Sequence, residues 1–366
     1  VLIKAGILVK ISDAKAQRIR KALVRWYLEH KRDMPWRETR DPYRIWLSEV
    51  MLQQTQVKTV IPYYHRFLER FPTIDDLARA DLQDILKMWE GLGYYARARN
   101  FHRAAGIVTN DYSGSVPQDW ETFIQLPGVG EYTAAAVQSL AFGHPYAVVD
   151  GNVKRVLARL FAIAEPVNQP KTYKQFKDIA GTLLDRQQPG NFNQAMMELG
   201  ALICKPTNPL CDQCPVRKDC ISFLRDCVDE FPKKQKRKPV PTLHMVAGVI
   251  RKKGRLLITR RKPEGLLGGL WEFPGGELVA GETAAAGCIR TIRETTGLKV
   301  KIDRRLTRVN HAYTHFKITL EVFVGQAQPG SRVRLNGPVD FDWIRPAQVD
   351  DYAFHKANLK FMHLID

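Results

Sequence analysis

A chain of 366 residues exceeds what a single hydrophobic core usually serves, so it is expected to divide into two or three domains. Its 45% hydrophobic and 10% aromatic content excludes a disordered protein. A net charge of +18 calls for a polyanionic partner, either nucleic acid or an anionic membrane surface, and no apolar run approaches a membrane span.

The opening VLIKAGILVK is apolar but broken by Lys4 and Lys10, and it lacks a small-residue cleavage site, so it does not read as a signal peptide. From residue 13 to about 230 the pattern is helical. AQRIRKALVRWYLEH and YARARNFHRAAGIVTNDY carry apolar residues at helical spacing. TIDDLARA and DLQDILKMWEGLG read as short helices with Thr or Asp at their starts. PKKQKRKPVPTL is a charge run framed by prolines, which reads as a solvated linker beside phosphates or as a plain spacer. Beyond it, HMVAGVIRKKGRLLITRRK gives two β-type runs with a turn at 252–254, GETAAAGCIRTIRETTG one helix, and LKVKIDRRLTRVNHAYTHFKITLEVFVGQA alternating strands. The predicted divisions are a helical region 8–231, a linker 232–243 and an α+β domain 244–366.

Three motifs in the helical region bear chemistry. LPGVGEYT at 126–133 lies between helical segments, and Gly128 and Gly130 permit a tight turn whose amides face outward at a helix start. Such a terminus suits a phosphate, although LPGVG also serves as an ordinary interhelical turn. In AVVDGNVKRVLARL, Asp150 and Asn152 stand where a helix begins, as caps or as reactive groups. Cys204, Cys211, Cys214 and Cys220 follow C-x6-C-x2-C-x5-C, with only one of the two CxxC knuckles of a zinc ribbon. Four closely spaced thiolates suit an iron–sulfur cluster; zinc or structural thiols are the alternatives.

A helix–hairpin–helix, an aspartate shortly after it and a four-cysteine loop at 204–220 together resemble the endonuclease III-like superfamily of DNA glycosylases. Within it the chain looks like the adenine DNA glycosylase (MutY) family. IWLSEVMLQQTQV places Glu49 among Trp46, Leu47, Val50 and Met51, where burial would keep a carboxyl protonated as a general acid. Tyr132 stands where bifunctional relatives carry a Schiff-base lysine. The resemblance implies release of adenine: Glu49 protonates the base, Asp150, ionised at a helix N-terminus, stabilises the sugar cation, and Tyr132 and Asn152 orient the groups. It also implies that Gln54 and Tyr94 enter the base stack, and that Arg32, Trp36 and Gln194 line the adenine pocket. The amide of Gln194 is expected to pair bidentately with the base.

GLLGGLWEFPGGELVAGETAAAGCIRTIRETTGL resembles a Nudix signature, in which Gly276, Glu282, Arg290, Ile292, Glu294, Gly297 and Leu298 fit while Thr291 and Thr295 replace two glutamates. The depleted carboxylates imply a kept fold and a lost hydrolase, with an active nucleotide hydrolase as the rival. By resemblance this domain reads 8-oxoguanine through Tyr313, Thr314 and His315, where the family carries Phe-Ser-His. The expected fold is therefore an all-α helix–hairpin–helix glycosylase followed by an α+β Nudix-like domain. One [4Fe-4S] cluster and no catalytic metal are expected, as is a monomer acting on double-stranded DNA with 8-oxoguanine:adenine or guanine:adenine mispairs. The implied setting is cytoplasmic, nucleoid-associated and bacterial, away from membranes. The alternatives are a bifunctional glycosylase/lyase for oxidised pyrimidines and a non-enzymatic, redox-sensing DNA-binding module.

Overall fold

The computed structural model describes residues 11–236 and 239–365. The reading of residues 1–10, the predicted start at 8 and Arg237 and Lys238 of the linker lie outside the described residues. In chain order the α-helices are α1 (Asp13–His30), α2 (Pro42–Leu52), α3 (Val57–Arg70), α4 (Ile74–Arg79), α5 (Leu82–Met88), α6 (Ala96–Asp111) and α7 (Trp120–Phe123). They continue as α8 (Glu131–Leu140), α9 (Gly151–Leu160), α10 (Tyr173–Leu183), α11 (Pro189–Leu202), α12 (Ile221–Leu224), α13 (Ala284–Thr296) and α14 (Lys356–Met362). The strands are β1 (Thr242–Lys252), β2 (Arg255–Arg260), β3 (Trp271–Glu272), β4 (Gly275–Glu277), β5 (Val300–Ala312), β6 (Lys317–Ala327) and β7 (Asp340–Ile344). No described helix is long and apolar enough to cross a membrane.

Local chemistry accounts for many of the helix starts. The Ser12 side chain accepts from Lys15 N at 3.3 Å, and Thr73 with Asp76 closes a capping box. Asp81 caps α5 and Asp150 caps α9.

The chain divides into two units, Val1–Tyr64 with Ile107–Arg237, and His65–Gly106 with Lys238–Asp366. The second joins a helical stretch to the sheet, so the grouping departs from the simple order read along the sequence.

In the first unit the core is built from the apolar stripes of α1, α9, α10 and α11, including Ile19, Leu23, Val153, Leu157, Phe176, Leu183, Phe192 and Leu199. The charge run after residue 231 does not begin as free spacer. Lys233 O accepts from Val167 N at 3.0 Å, and Gln235 exchanges bonds of 2.9 Å with the Asn168 side chain. At the other end, Thr242 and Leu243 already belong to β1. The solvated linker expected over 232–243 is therefore shorter than its composition suggests, because unpaired main-chain groups find partners wherever a neighbour offers them.

In the second unit a mixed sheet runs β3-β2-β1-β6-β5, with β4 paired to β1 and β7 to β2. β1 and β6 are parallel, and the remaining pairs are antiparallel. Lys253 and Gly254 both take left-handed φ, as a tight turn between β1 and β2 requires. Alternation sends Leu256 and Ile258 to one face with Phe354 and Phe361, and Leu257 to the other with Cys288 and Ile292. The helical stretch of this unit grips main-chain groups around the sheet: Gln83 donates to Gly269 O at 3.0 Å, and Glu90 accepts from Phe354 N at 2.8 Å.

Candidate active site

A cavity of about 900 Å³ in the first unit is lined by Glu49, Tyr132, Asp150, Asn152, Arg32, Trp36 and Gln194 among others. All seven residues singled out for acid, cation or base-pocket roles thus face one space. Glu49 comes from α2, whose residues from Ile45 to Met51 are all buried. Tyr132 stands in the first turn of α8, whose N-cap is Gly130; Gly128 holds φ 80° in the preceding turn. Asp150 is the N-cap of α9, so the helix start fixes its carboxylate. The extended segment leading to it is held by Asn193, which accepts from Val148 N at 3.0 Å and donates to Tyr146 O at 2.8 Å. Gly200 lets α11 approach that start, since a Cβ there would lie 2.7 Å from Asn152 Cβ.

The two carboxyls differ in support. Glu49 is 4% exposed and accepts one bond, from the Tyr132 hydroxyl at 2.6 Å. Burial raises its carboxyl to about 7 against that bond, with a smaller upward push from Asp150. Asp150 accepts from Val153 N at 2.6 Å and from Asn152 Nδ2 at 3.0 Å. Its pKa is nevertheless raised, because burial outweighs those bonds and the nearby Arg155. The helix start supplies the Val153 N–H that favours the carboxylate, and desolvation opposes it.

At the other end of the cavity Glu198, 1% exposed, is gripped by two arginines. Arg32 reaches it through Nε at 2.9 Å and Nη2 at 2.7 Å, and Arg37 through Nη1 at 3.1 Å and Nη2 at 2.9 Å. Burial opposes ionisation, but these donors hold the Glu198 carboxyl at about 2. Arg37 Nε also donates to Gln194 Oε1 at 2.8 Å, and the Tyr27 hydroxyl donates to the same atom at 2.9 Å. The oxygen of Gln194 thus accepts two hydrogen bonds from within the protein. Neither Glu198 nor Arg37 was singled out in the sequence, although Glu198 lies one helical turn beyond Gln194 and Arg37 directly follows Trp36.

Cys204, Cys211, Cys214 and Cys220 surround one small cavity walled by Ile203, Pro209, Phe223 and Val228. None is in a disulfide, and among the described residues no three His, Cys, Asp or Glu side chains close on a single-ion site. Two arginines one turn apart on α9 anchor this loop. Arg159 donates to Cys204 Sγ at 3.4 Å and Lys205 O at 2.6 Å. Arg155 donates to Cys204 O at 2.7 Å and to Asn152 Oδ1 at 2.8 Å. A continuous set of bonds thus runs from Asp150 through Asn152 and Arg155 to the cysteine loop.

Comparison with known proteins gives this geometry a context. The family described as "HhH-GPD superfamily base excision DNA repair protein" matches residues 47–181, and "NUDIX domain" matches residues 245–364. An adenine DNA glycosylase of Rattus norvegicus is 36% identical over 86% of this chain and 71% of its own length. That of Homo sapiens is 36% identical over 95% and 74%, respectively. The chain belongs to the adenine DNA glycosylase family. A solved thermostable thymine-DNA glycosylase is 33% identical with a TM-score of 0.54, covering 58% of this chain and 98% of that one. An endonuclease III trapped as a covalent intermediate with DNA shares the fold at 24% identity and a TM-score of 0.50, covering 59% and 99%. This family member is a DNA glycosylase of base excision repair, with a helical glycosylase fold followed by a Nudix-like domain.

The other positions singled out in this glycosylase lie outside the cavity lining. Gln54, just past α2, holds φ 58°, and Tyr94 in the second unit holds φ 50° and is 42% exposed. Left-handed backbone in a non-glycine residue is strained and commonly marks function. Thr314 and His315 are exposed, and Tyr313 packs on Phe316 with ring centroids 4.9 Å apart. The Tyr94 and Thr314 hydroxyls lie 2.6 Å apart. In the Nudix-like motif, Arg290 binds both Glu282 and Glu294. Thr291 is 3% exposed and bonds Cys288 O at 3.2 Å, and Thr295 bonds Thr291 O at 2.7 Å.

Proposed function

We propose that this chain releases adenine mispaired with 8-oxoguanine or guanine, leaving an abasic site. The observation that supports this most is the meeting of Glu49, Tyr132, Asp150 and Asn152 in one cavity. With its pKa raised to about 7 by burial, Glu49 holds a proton near neutral pH and can give it to a ring nitrogen of the base. The bond from C1′ to the base then breaks, its electron pair leaving with the protonated adenine. Asp150, as a carboxylate, stabilises the sugar cation or bonds to it transiently, and water adds at C1′ as a proton returns to Glu49. Tyr132 holds Glu49 by its 2.6 Å bond, and Asn152 holds Asp150 at 3.0 Å.

Arg32, Trp36 and Gln194 would receive the flipped base while Gln54 and Tyr94 fill the stack. The uncapped start of α8 at Gly128–Gly130 suits a DNA phosphate. Tyr313, Thr314 and His315 would contact 8-oxoguanine, Thr314 through a hydroxyl that both donates and accepts. Cys204, Cys211, Cys214 and Cys220 would hold one [4Fe-4S] cluster, which supplies a fixed frame for the loop carrying Lys205, Arg217 and Lys218. The Nudix-like domain is read as having lost hydrolase activity, since its remaining glutamates are bound to Arg290 and Thr291 is buried. We further infer a monomer working on double-stranded DNA in a bacterial cytoplasm.

The test is base release from duplexes containing 8-oxoguanine:adenine, guanine:adenine or 8-oxoguanine:cytosine, with alkali to reveal abasic sites. Release from the first two only, and its loss in Glu49→Gln, is the expected result. Absence of adenine release by the unmodified protein would overturn the reading. Efficient trapping of a covalent adduct by borohydride would favour the lyase instead.

A further inference from the structure

Arg37 has a side chain only 9% exposed, and a guanidinium is a donor without any acceptor atom. Its single Nε–H points at Gln194 from 2.8 Å. The oxygen and nitrogen of an amide are usually hard to tell apart by position, but here the chemistry decides. A donor that cannot accept must face the oxygen. The second lone pair of that oxygen takes the bond from Tyr27 at 2.9 Å. Gln194 Nε2 makes no hydrogen bond with a described residue, and Gln194 lines the cavity. Both amide hydrogens are thus left for whatever enters.

Arg37 is itself unable to turn away. Its two terminal nitrogens grip Glu198 at 3.1 and 2.9 Å, its Nη1 also reaches Arg32 O at 2.8 Å, and its guanidinium lies 5.3 Å from the Tyr27 ring centroid. Reversing the Gln194 amide would set its N–H groups against the Nε–H of a buried cation.

We propose that Arg37 is a positioning residue for specificity: by fixing the Gln194 amide it makes that side of the base pocket donor-only, so that a purine is read there through a ring-nitrogen lone pair and not through its 6-amino group. The inference rests on the proposed release of adenine and deepens it. A freely turning glutamine would instead accept from the 6-amino group while donating to the adjacent ring nitrogen. The two arrangements differ in which atom of the base is coupled to residue 194, and that coupling is measurable.

The experiment is a cycle between enzyme and substrate. Single-turnover release is measured for adenine and for purine, which lacks the 6-amino group, each opposite 8-oxoguanine, with the unmodified protein and with Gln194→Met. The intrinsic difference between the two leaving bases cancels in the ratio of ratios. A donor-only amide predicts that ratio within about twofold of one, whereas bidentate pairing predicts about fivefold or more and would overturn the proposal. Repeating the cycle on Arg37→Met, against Arg37→Met with Gln194→Met, should bring the missing coupling into view, because the amide is then free to turn. If circular dichroism shows Arg37→Met unfolded, the first cycle alone decides.

A binding arm uses duplexes carrying 1-, 3- or 7-deazaadenine, of which one should lose its dependence on Gln194; if all three keep it, the idea is wrong. Should the unmodified protein release no adenine, the proposed activity fails, and the adenine–purine cycle is read on duplex affinity instead.

Discussion

In the cavity of the first unit Glu49 and Asp150 make their bonds with neutral groups: a tyrosine hydroxyl, an asparagine amide and a main-chain N–H. Around α13 in the second unit, Glu282 and Glu294 both bind the cation of Arg290. Both regions carry a recognisable acidic motif, yet their electrostatics run in opposite directions. Burial lifts Glu49 to about 7, while the bonds from Arg290, followed by that from Val279 N, hold Glu282 at about 2. A carboxyl near 7 can give and recover a proton in neutral solution. One held low by a guanidinium is an anchor. The contrast separates a carboxyl poised to exchange a proton near neutral pH from one fixed in an ion pair, which residue identity alone does not do.

Breaking the first side of that contrast should have the largest effect. Glu49→Gln keeps the shape and removes the proton donor, so single-turnover base release should fall by about 10²–10⁴. Duplex affinity should stay within a few-fold, as measured by anisotropy. A rate within tenfold of the unmodified protein would assign the acid elsewhere. In the unmodified protein the rate should decline as pH rises through about 7, where Glu49 loses its proton.

The same residue should carry a stability signature of the opposite sign. Its folded pKa lies above the ordinary 4.5, so the folded state binds the proton more tightly than the unfolded chain. That contribution is complete below 4.5 and is lost as pH climbs through about 7. That difference corresponds to about 3 kcal/mol. Urea titrations should therefore find Glu49→Gln more stable than the unmodified protein at pH 8.5, by up to that amount, and indistinguishable near pH 4. Equal stability at both values would mean that Glu49 is solvated.

Two smaller changes test how each region is held. Gly200→Ala places a Cβ 2.7 Å from Asn152 Cβ and 3.2–3.3 Å from its main chain, so the start of α9 must shift. Displacement of Asp150 by a few tenths of an ångström should slow base release about tenfold or more with little change in KM. Kinetics with a circular-dichroism control would check this. In the second unit, Thr314→Ala removes a hydroxyl placed 2.6 Å from that of Tyr94. The preference for 8-oxoguanine:adenine over guanine:adenine should fall about fivefold. An unchanged ratio would remove Thr314 from lesion reading.

How much of this could be read from the sequence differs between elements for physical reasons. The change from helical to α+β structure followed from periodicity that shifts near residue 240, and β1, β2, β5, β6, the turn at Lys253–Gly254 and the helix over 284–296 lie where that pattern put them, whereas the short β3, β4 and β7 carried no such signal. Glu49 was legible through the family resemblance, together with the apolar Trp46, Leu47, Val50 and Met51 near it on α2. Arg37, Tyr27 and Glu198 were not, since a buried ion pair joining residues about 160 apart leaves no local pattern. The orientation of the Gln194 amide was not legible for the same reason: it depends on a distant donor rather than on the amide. The linker was overextended because composition reports solubility and not whether Val167 and Asn168 offer partners to Lys233 and Gln235.

The least disruptive change addresses the second side of the contrast. Glu282→Gln removes a charge that Arg290 holds, and Arg290 keeps Glu294 at 2.9 Å and the main chain of Glu277 at 3.0 Å. If the motif is only a fold anchor, base release should remain within about twofold, because a half-exposed surface ion pair contributes little. Nucleoside triphosphate hydrolysis with magnesium should be absent both before and after the change. Magnesium in such sites needs several close oxygens, and Thr291 instead turns its hydroxyl to Cys288 O inside the helix. Hydrolysis by the unmodified protein that Glu282→Gln abolishes would reverse the distinction, making the second region a working site in which Arg290 is a switch rather than a clasp.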